Sequence, residues 1–133
     1  MIMSDTSPES VVRNFFKAWE SDGFVPAFER YMADDGVWQN AGFPEAIGKQ
    51  AYMELMAQYN GFSGMPFGRV EIRNIAVNGK AVLTERVDNL FNADRSRTHA
   101  APIMGTFIVE KGKIVRYADY FDPRPFFEMM PKP

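Results

Sequence analysis

Apolar residues fall at helical spacing in the first half of the chain and in strand-like runs in the second. Val11, Val12, Phe15, Phe16 and Trp19 make one stripe with a helical period. Thr6-Ser7-Pro8-Glu9 opens it with a hydroxyl cap, a proline whose missing amide does no harm there, and an acid in the first turn. Asp22-Gly23 breaks the stripe, and residues 24–32 predict a second, shorter helix with Phe28 and Tyr31 turned inward. After Asp34-Asp35-Gly36 a short strand is expected at 37–40, then a loop at 41–48. A third helix at 50–59 carries Tyr52, Leu55, Met56 and Tyr59, and a glycine-rich, mobile stretch follows at 61–68.

In the second half, strands at 69–77 and 80–91 flank Asn78-Gly79, a strong hairpin signal. Residues 92–97 form a polar turn, 101–110 another strand, and Lys111-Gly112 turns the chain into a strand at 113–122. Pro123-Arg124-Pro125 ends the sheet and leaves a short apolar tail at 126–130. Helices followed by a meander predict an α+β fold, with N-terminal helices on one face of a strongly curved sheet. Such a sheet can form a cone with an interior pocket. With 133 residues and no repeat or linker, one domain spanning 1–133 is expected.

Composition excludes several classes of function. Seventeen acidic and fifteen basic residues give a net charge of -2, with no basic block of the kind a nucleic-acid backbone requires. There is no cysteine, so neither a disulfide nor a thiolate nucleophile is available. His99 is the only histidine, which removes paired-histidine zinc spacing. It lies beside a polar turn and reads as an exposed or capping residue. No metal site and no cofactor are expected. Met1-Ile2-Met3-Ser4-Asp5 lacks the basic start and apolar run of a secretory signal, and no segment nears the roughly 20 apolar residues that span a bilayer. A cytoplasmic protein without membrane contact is expected.

The candidate chemistry lies in Leu83-Thr84-Glu85-Arg86-Val87-Asp88-Asn89-Leu90 and Tyr117-Ala118-Asp119-Tyr120-Phe121. Strand alternation points Arg86 and Asp88 to one face, alongside Val82, Thr84 and Leu90. Charges placed among apolar residues are costly unless they pair. If Asp88 and Asp119 meet across Arg86, all three are satisfied and two carboxylates become available for acid and base work. By itself the Arg-x-Asp pair equally suits a structural ion pair. Asp122, before Pro123, reads as a strand-end residue. Of the nine methionines, Met53 and Met56 read as core, whereas Met32, Met65, Met104, Met129 and Met130 suit the lining or cover of a cavity.

The Arg-x-Asp run, Met104-Gly105-Thr106-Phe107 and Asp119-Tyr120-Phe121-Asp122 together resemble the limonene epoxide hydrolase family. That family belongs to a group of cone-shaped, SnoaL-like or cystatin-like folds that includes ketosteroid isomerases and polyketide cyclases. The resemblance runs from the first helix to about Asp122. It implies a mixed, mainly antiparallel sheet and one-step hydrolysis of an apolar epoxide to a vicinal diol, without metal or covalent intermediate. Asp119 would match the general base, Asp88 the general acid, Arg86 the bridge between them, and Asn40 an amide that helps hold the water. The family has a tyrosine two residues before that asparagine. Here the position is Trp38, an indole that only donates, and Tyr31 or Tyr117 is a candidate for the missing hydroxyl. Trp38 also suits a pocket wall. The other reading within the same fold group is an isomerase or cyclase with Asp119 as base, or a pocket that only binds. A homodimer is expected, with residues 126–130 forming either a lid or, preferably, part of its contact surface.

Overall fold

A single glycine joins the first two helices. The computed structural model describes residues 6–129; the N-terminal segment read above for a leader, and Met130 in the tail, lie outside them. Helix α1 (Pro8–Asp22) begins as its cap predicts, with the Ser7 hydroxyl accepting from the Ser10 amide at 3.3 Å. It ends at Gly23, whose φ of 104° lets the chain turn at once into α2 (Phe24–Tyr31). The inward faces bury Val11, Val12, Phe15, Phe16, Ala18 and Trp19 from α1, and Ala27 and Phe28 from α2.

Strand β1 (Met32–Asn40) starts earlier than the expected 37. Its pairing register breaks between Met32 and Val37, where Asp34 and Asp35 face solvent. Acids at a strand edge can therefore sit inside the strand without desolvation. Strand β2 (Ala46–Ile47) lies within the expected loop and pairs antiparallel with Val37 and Trp38. Helix α3 (Lys49–Ser63) runs past its expected end at 59 and stops at Gly64, a left-handed C-cap with φ 65°. Part of the stretch expected to be a mobile connection is thus the last turn of a helix.

The hairpin of β3 (Phe67–Asn78) and β4 (Ala81–Phe91) turns on Asn78-Gly79, as the sequence predicts. β5 (Thr98–Glu110) begins before the expected 101 and takes His99 out of the turn. β6 (Lys113–Tyr120) stops short of 122, and the tail forms a short helix, α4 (Arg124–Met129). The strand order is β2-β1-β6-β5-β4-β3, an open six-stranded sheet in which β1 and β6 are parallel and the other pairs antiparallel. Register breaks in β1, β3 and β5 bend it around the helices. Phe15 lies at the centre of the enclosed core, with ring centres 5.7 Å from Phe28, 5.5 Å from Tyr117 and 6.4 Å from Phe107. On the outer face of the sheet Leu83, Met104 and Tyr120 are about half exposed. Among the described residues no helix is long and apolar enough to cross a membrane.

Candidate active site

Alternation along β4 puts Val82, Thr84, Arg86, Asp88 and Leu90 on the helix-facing side, and all five are buried. Register across the sheet then assembles the site. Asn40 on β1, Asp119 on β6, Gly105 on β5 and Thr84 on β4 are successive partners in one row. Gly105 has no side chain, so the Arg86 guanidinium reaches across that gap toward Asp119. A Cβ there would run into Arg86 Nη1 and Asp119 Oδ1. The guanidinium is fixed by its bonds to Asp88, Thr84 and Asp119, and the Asp119 carboxylate is tethered to it through Oδ2, so neither gives way cheaply. Gly105→Ala is therefore expected to lower stability by about 1–3 kcal/mol and to disrupt the Arg86–Asp119 contact, checked by denaturant unfolding and by turnover.

Arg86 is 1% exposed and every contact it makes is specific. Nε donates to Asp88 Oδ1 at 2.8 Å, and Nη2 donates to Asp88 Oδ2 at 3.1 Å. Nη2 also donates to Asp119 Oδ2 at 2.7 Å and to the Tyr117 hydroxyl at 3.3 Å. Nη1 donates to Thr84 Oγ1 at 2.9 Å, whose own proton goes to the Gly105 carbonyl at 3.1 Å. The guanidinium carbon lies 5.3 Å from the ring centre of Phe16 and 5.7 Å from that of Phe107, so aromatic faces shield the cation. The geometry requires the planar fork of arginine.

The two carboxylates line a narrow cleft of about 80 Å³. Its walls are largely apolar and include Trp19, Phe24, Met65, Leu90, Ile103, Phe121 and Phe126. Trp38, Asn40, Tyr59 and Tyr117 line it near Asp119 and Asp88. Near the two acids Trp38 Nε1, Asn40 Nδ2 and Asp119 Oδ1 are buried with no hydrogen-bond partner among the described residues, as is Trp19 Nε1 farther along the wall.

All five residues singled out in the sequence therefore reach one cleft or its floor. The other candidates separate. Tyr31 packs beside Phe15 at 6.5 Å and is not part of the lining, so of the two hydroxyl candidates Tyr117 is the one at the site. Met65 lines the cleft, but Met32 is buried in the core and Met104 lies on the outer face of the sheet, because strand parity fixes where each points. His99 is half-buried against Phe126 at 5.8 Å, and Asp122 is paired with Arg124 at 2.7 Å. Phe126 turns into the cleft and Phe127 packs on Phe43 at 5.0 Å, so α4 forms part of the cleft wall.

Burial raises both acids above the usual carboxylate range. For Asp88 burial, reinforced by the charge of Asp119 and opposed by Arg86, pushes the pKa up to about 6. Asp119 is raised by burial too, while Arg86 and the Tyr117 hydroxyl favour its charged form. Burial alone would lower the Arg86 pKa, but Asp119 and Asp88 outweigh it and hold the guanidinium firmly charged. Two acids around one cation share their protons and titrate as a pair.

The profile of the limonene-1,2-epoxide hydrolase catalytic domain matches residues 6–132. The chain belongs to this family. It is 30% identical over 134 residues to epoxide hydrolase EphG of Mycobacterium tuberculosis, covering 95% of this chain and 86% of that protein. A solved LEH-like epoxide hydrolase from M. tuberculosis superposes with a TM-score of 0.70 at 28% identity, covering 92% of this chain and 87% of the other. A SnoaL-like polyketide cyclase fold from Jannaschia sp. CCS1 reaches 0.72 at only 14% identity, over 100% and 99% of the two chains, a likeness of fold alone.

Three further residues shape the site beyond those the sequence singles out. Gly105 lies in the Met104-Gly105-Thr106-Phe107 run, and a glycine inside a strand signals close approach of another group. Strand alternation puts Thr84 on the right face but does not name its partners. Tyr59, read as a helix-stripe residue, faces the cleft; its position depends on how α3 docks, which local periodicity does not encode.

Proposed function

We propose that the protein adds water to an apolar epoxide in one step, giving a vicinal diol. The observation that carries this reading is the pair of buried carboxylates held on one guanidinium at the floor of an apolar cleft, with Asp119 Oδ1 left unpaired beside Asn40. Asp119 is the base. It takes a proton from water as the water oxygen bonds to an epoxide carbon. Asp88 is the acid. It protonates the epoxide oxygen as the C–O bond breaks, so no free alkoxide forms. One proton thus passes from Asp88 to Asp119 per turnover and returns through solvent at the open cleft. Arg86 stays charged throughout and holds both acids while their proton shifts.

Asp119 Oδ1, the Asn40 amide and Trp38 Nε1 support a site for the attacking water. Turned to present its carbonyl, Asn40 accepts the second water proton, a flip that breaks no bond of its Nδ2. Trp38 then donates to one lone pair and leaves the other for attack. The apolar walls support a terpenoid- or steroid-like substrate. Arg86 stands where a cation between the two acids would stand, which supports chemistry without a metal or cofactor. The outer face with Leu83, Met104 and Tyr120 supports a homodimer.

A panel of apolar epoxides in ¹⁸O-labelled water, with a chelator present, tests this. Diol carrying one solvent oxygen is expected, and absence of diol from every epoxide would remove the reading. The kcat/KM profile of an active substrate should be bell-shaped, because one carboxyl must be ionised and the other protonated. Burial pushes Asp88 up to about 6, so activity should fall as pH rises through that region and the acid proton is lost. An alkaline limb at the ordinary carboxylate value would contradict Asp88 as the acid.

A further inference from the structure

The family's phenol is missing two residues before Asn40, but a phenol stands on the neighbouring strand. Trp38 is the register partner of Tyr117, as Asn40 is of Asp119. The Tyr117 ring is stacked on Phe107 at 4.5 Å and meets Phe15 edge-on at 5.5 Å, so its hydroxyl is held in place. That oxygen accepts from Arg86 Nη2, the same nitrogen that donates to Asp119 Oδ2. Nη2 thus holds the Tyr117 oxygen next to Asp119 Oδ2, where the hydroxyl favours the charged carboxylate. Asp119 lines the cleft, and its Oδ1 keeps no hydrogen-bond partner among the described residues.

We propose that Tyr117 is a positioning residue of the reaction, clamping Asp119 together with Arg86 so that Oδ1 alone is presented to water. The proposal rests on the hydrolase reading above. A carboxylate held by one bond can rotate and exchange its oxygens; one held from two directions presents a fixed lone pair. The same hydroxyl favours the charged form of the base against the burial that raises its pKa.

The groups that bear on Asp119 are few. From β4 come Arg86, which favours its charge, Asp88, which opposes it when ionised, and the neutral Thr84. From its own strand comes Tyr117, from β1 the neutral Asn40, and across the cleft from α3 Tyr59, which burial keeps protonated. Of these, Arg86 and Tyr117 stabilise the carboxylate, and Tyr117 can lose its polar contact without a change of charge.

Tyr117→Phe keeps the ring and removes only the hydroxyl. We expect kcat to fall roughly 10- to 100-fold, the range for a lost hydrogen bond to a charged group, with KM little changed. The acid limb of kcat/KM should move up by about one pH unit, as Asp119 becomes harder to ionise. The ¹³C NMR titration of the Asp119 carboxyl should move the same way and needs no turnover. A wild type that makes no diol but shows this shift would sink the hydrolase reading and keep the clamp. If Tyr117→Phe does not fold, 3-fluorotyrosine at 117, a stronger donor of nearly equal size, should move both titrations down. A hydroxyl with a merely structural role would leave the acid limb and the Asp119 titration where they are, and that result would overturn the proposal.

Discussion

Asp119→Asn and Asp88→Asn should each reduce diol formation by roughly 10²–10⁴-fold or more, the usual consequence of losing a general base or acid. Each amide nearly matches the shape of the acid it replaces, but it can neither accept a proton from water nor deliver one to an epoxide oxygen. The aromatic core around Phe15 and the apolar cleft walls are untouched, so an apolar ligand should bind nearly as before. Because both groups act in one step, the double variant should be little worse than either single one. Steady-state turnover of the three variants, with ligand binding measured alongside, decides the matter. Near-full activity in Asp88→Asn together with a dead Asp119→Asn would instead favour a single-base isomerase or cyclase, which has no need of a second acid.

Much of this site was legible in the sequence because it rests on strand parity. Arg86 and Asp88 differ by two positions, so any strand through them puts both on one face, and the cost of burying charge then calls for a partner. Asp119 and Asn40 were harder. Nothing local places them in one row; that follows from β1 and β6 pairing in parallel, a long-range contact between residues far apart in the chain. The family pattern supplied what periodicity could not. The errors share a cause. The sequence predicts the strand only after Asp34-Asp35-Gly36, yet both acids lie in β1 at a register break with their side chains in water. Glycine content predicts a mobile stretch over 61–68, although α3 continues to Ser63 and its left-handed stop is Gly64. Polar and glycine residues mark where burial ends more reliably than where a backbone element ends.

The methionines make the same point from the other side. Met32, Met65 and Met104 are chemically alike, and the sequence offered no reason to separate them. Tertiary placement sends one to the core, one to the cleft and one to the outer face of the sheet. A charged group is placed by what it cannot tolerate, whereas a flexible apolar one fits nearly anywhere. For that reason the polar half of the cleft was predictable and its apolar walls were not.

Arg86→Met should cost roughly 3–5 kcal/mol of stability at neutral pH, the penalty for leaving buried charges without their partner. Methionine fills much of the arginine volume among Phe16, Phe107 and Tyr117, so packing explains little of the loss. The deficit should also depend on pH. In the wild type burial already raises Asp88 to about 6 and raises Asp119 as well, against the opposition of Arg86. Without the cation both acids rise further, and the folded state then binds more protons than the unfolded chain, whose carboxyls titrate near 4. Stability of the variant is thus fully retained below about pH 4 and is lost as pH rises through the raised folded values. Denaturant unfolding of both proteins at pH 4.5 and 7.5 should show a small gap at the lower pH and a large one at the higher. Arg86→Lys should restore part of the stability, since one positive charge returns, but little turnover, since an ammonium cannot bridge two carboxylates with a planar fork. An equal deficit at both pH values would mean that Arg86 acts through packing, and the charge argument for the site would fail with it.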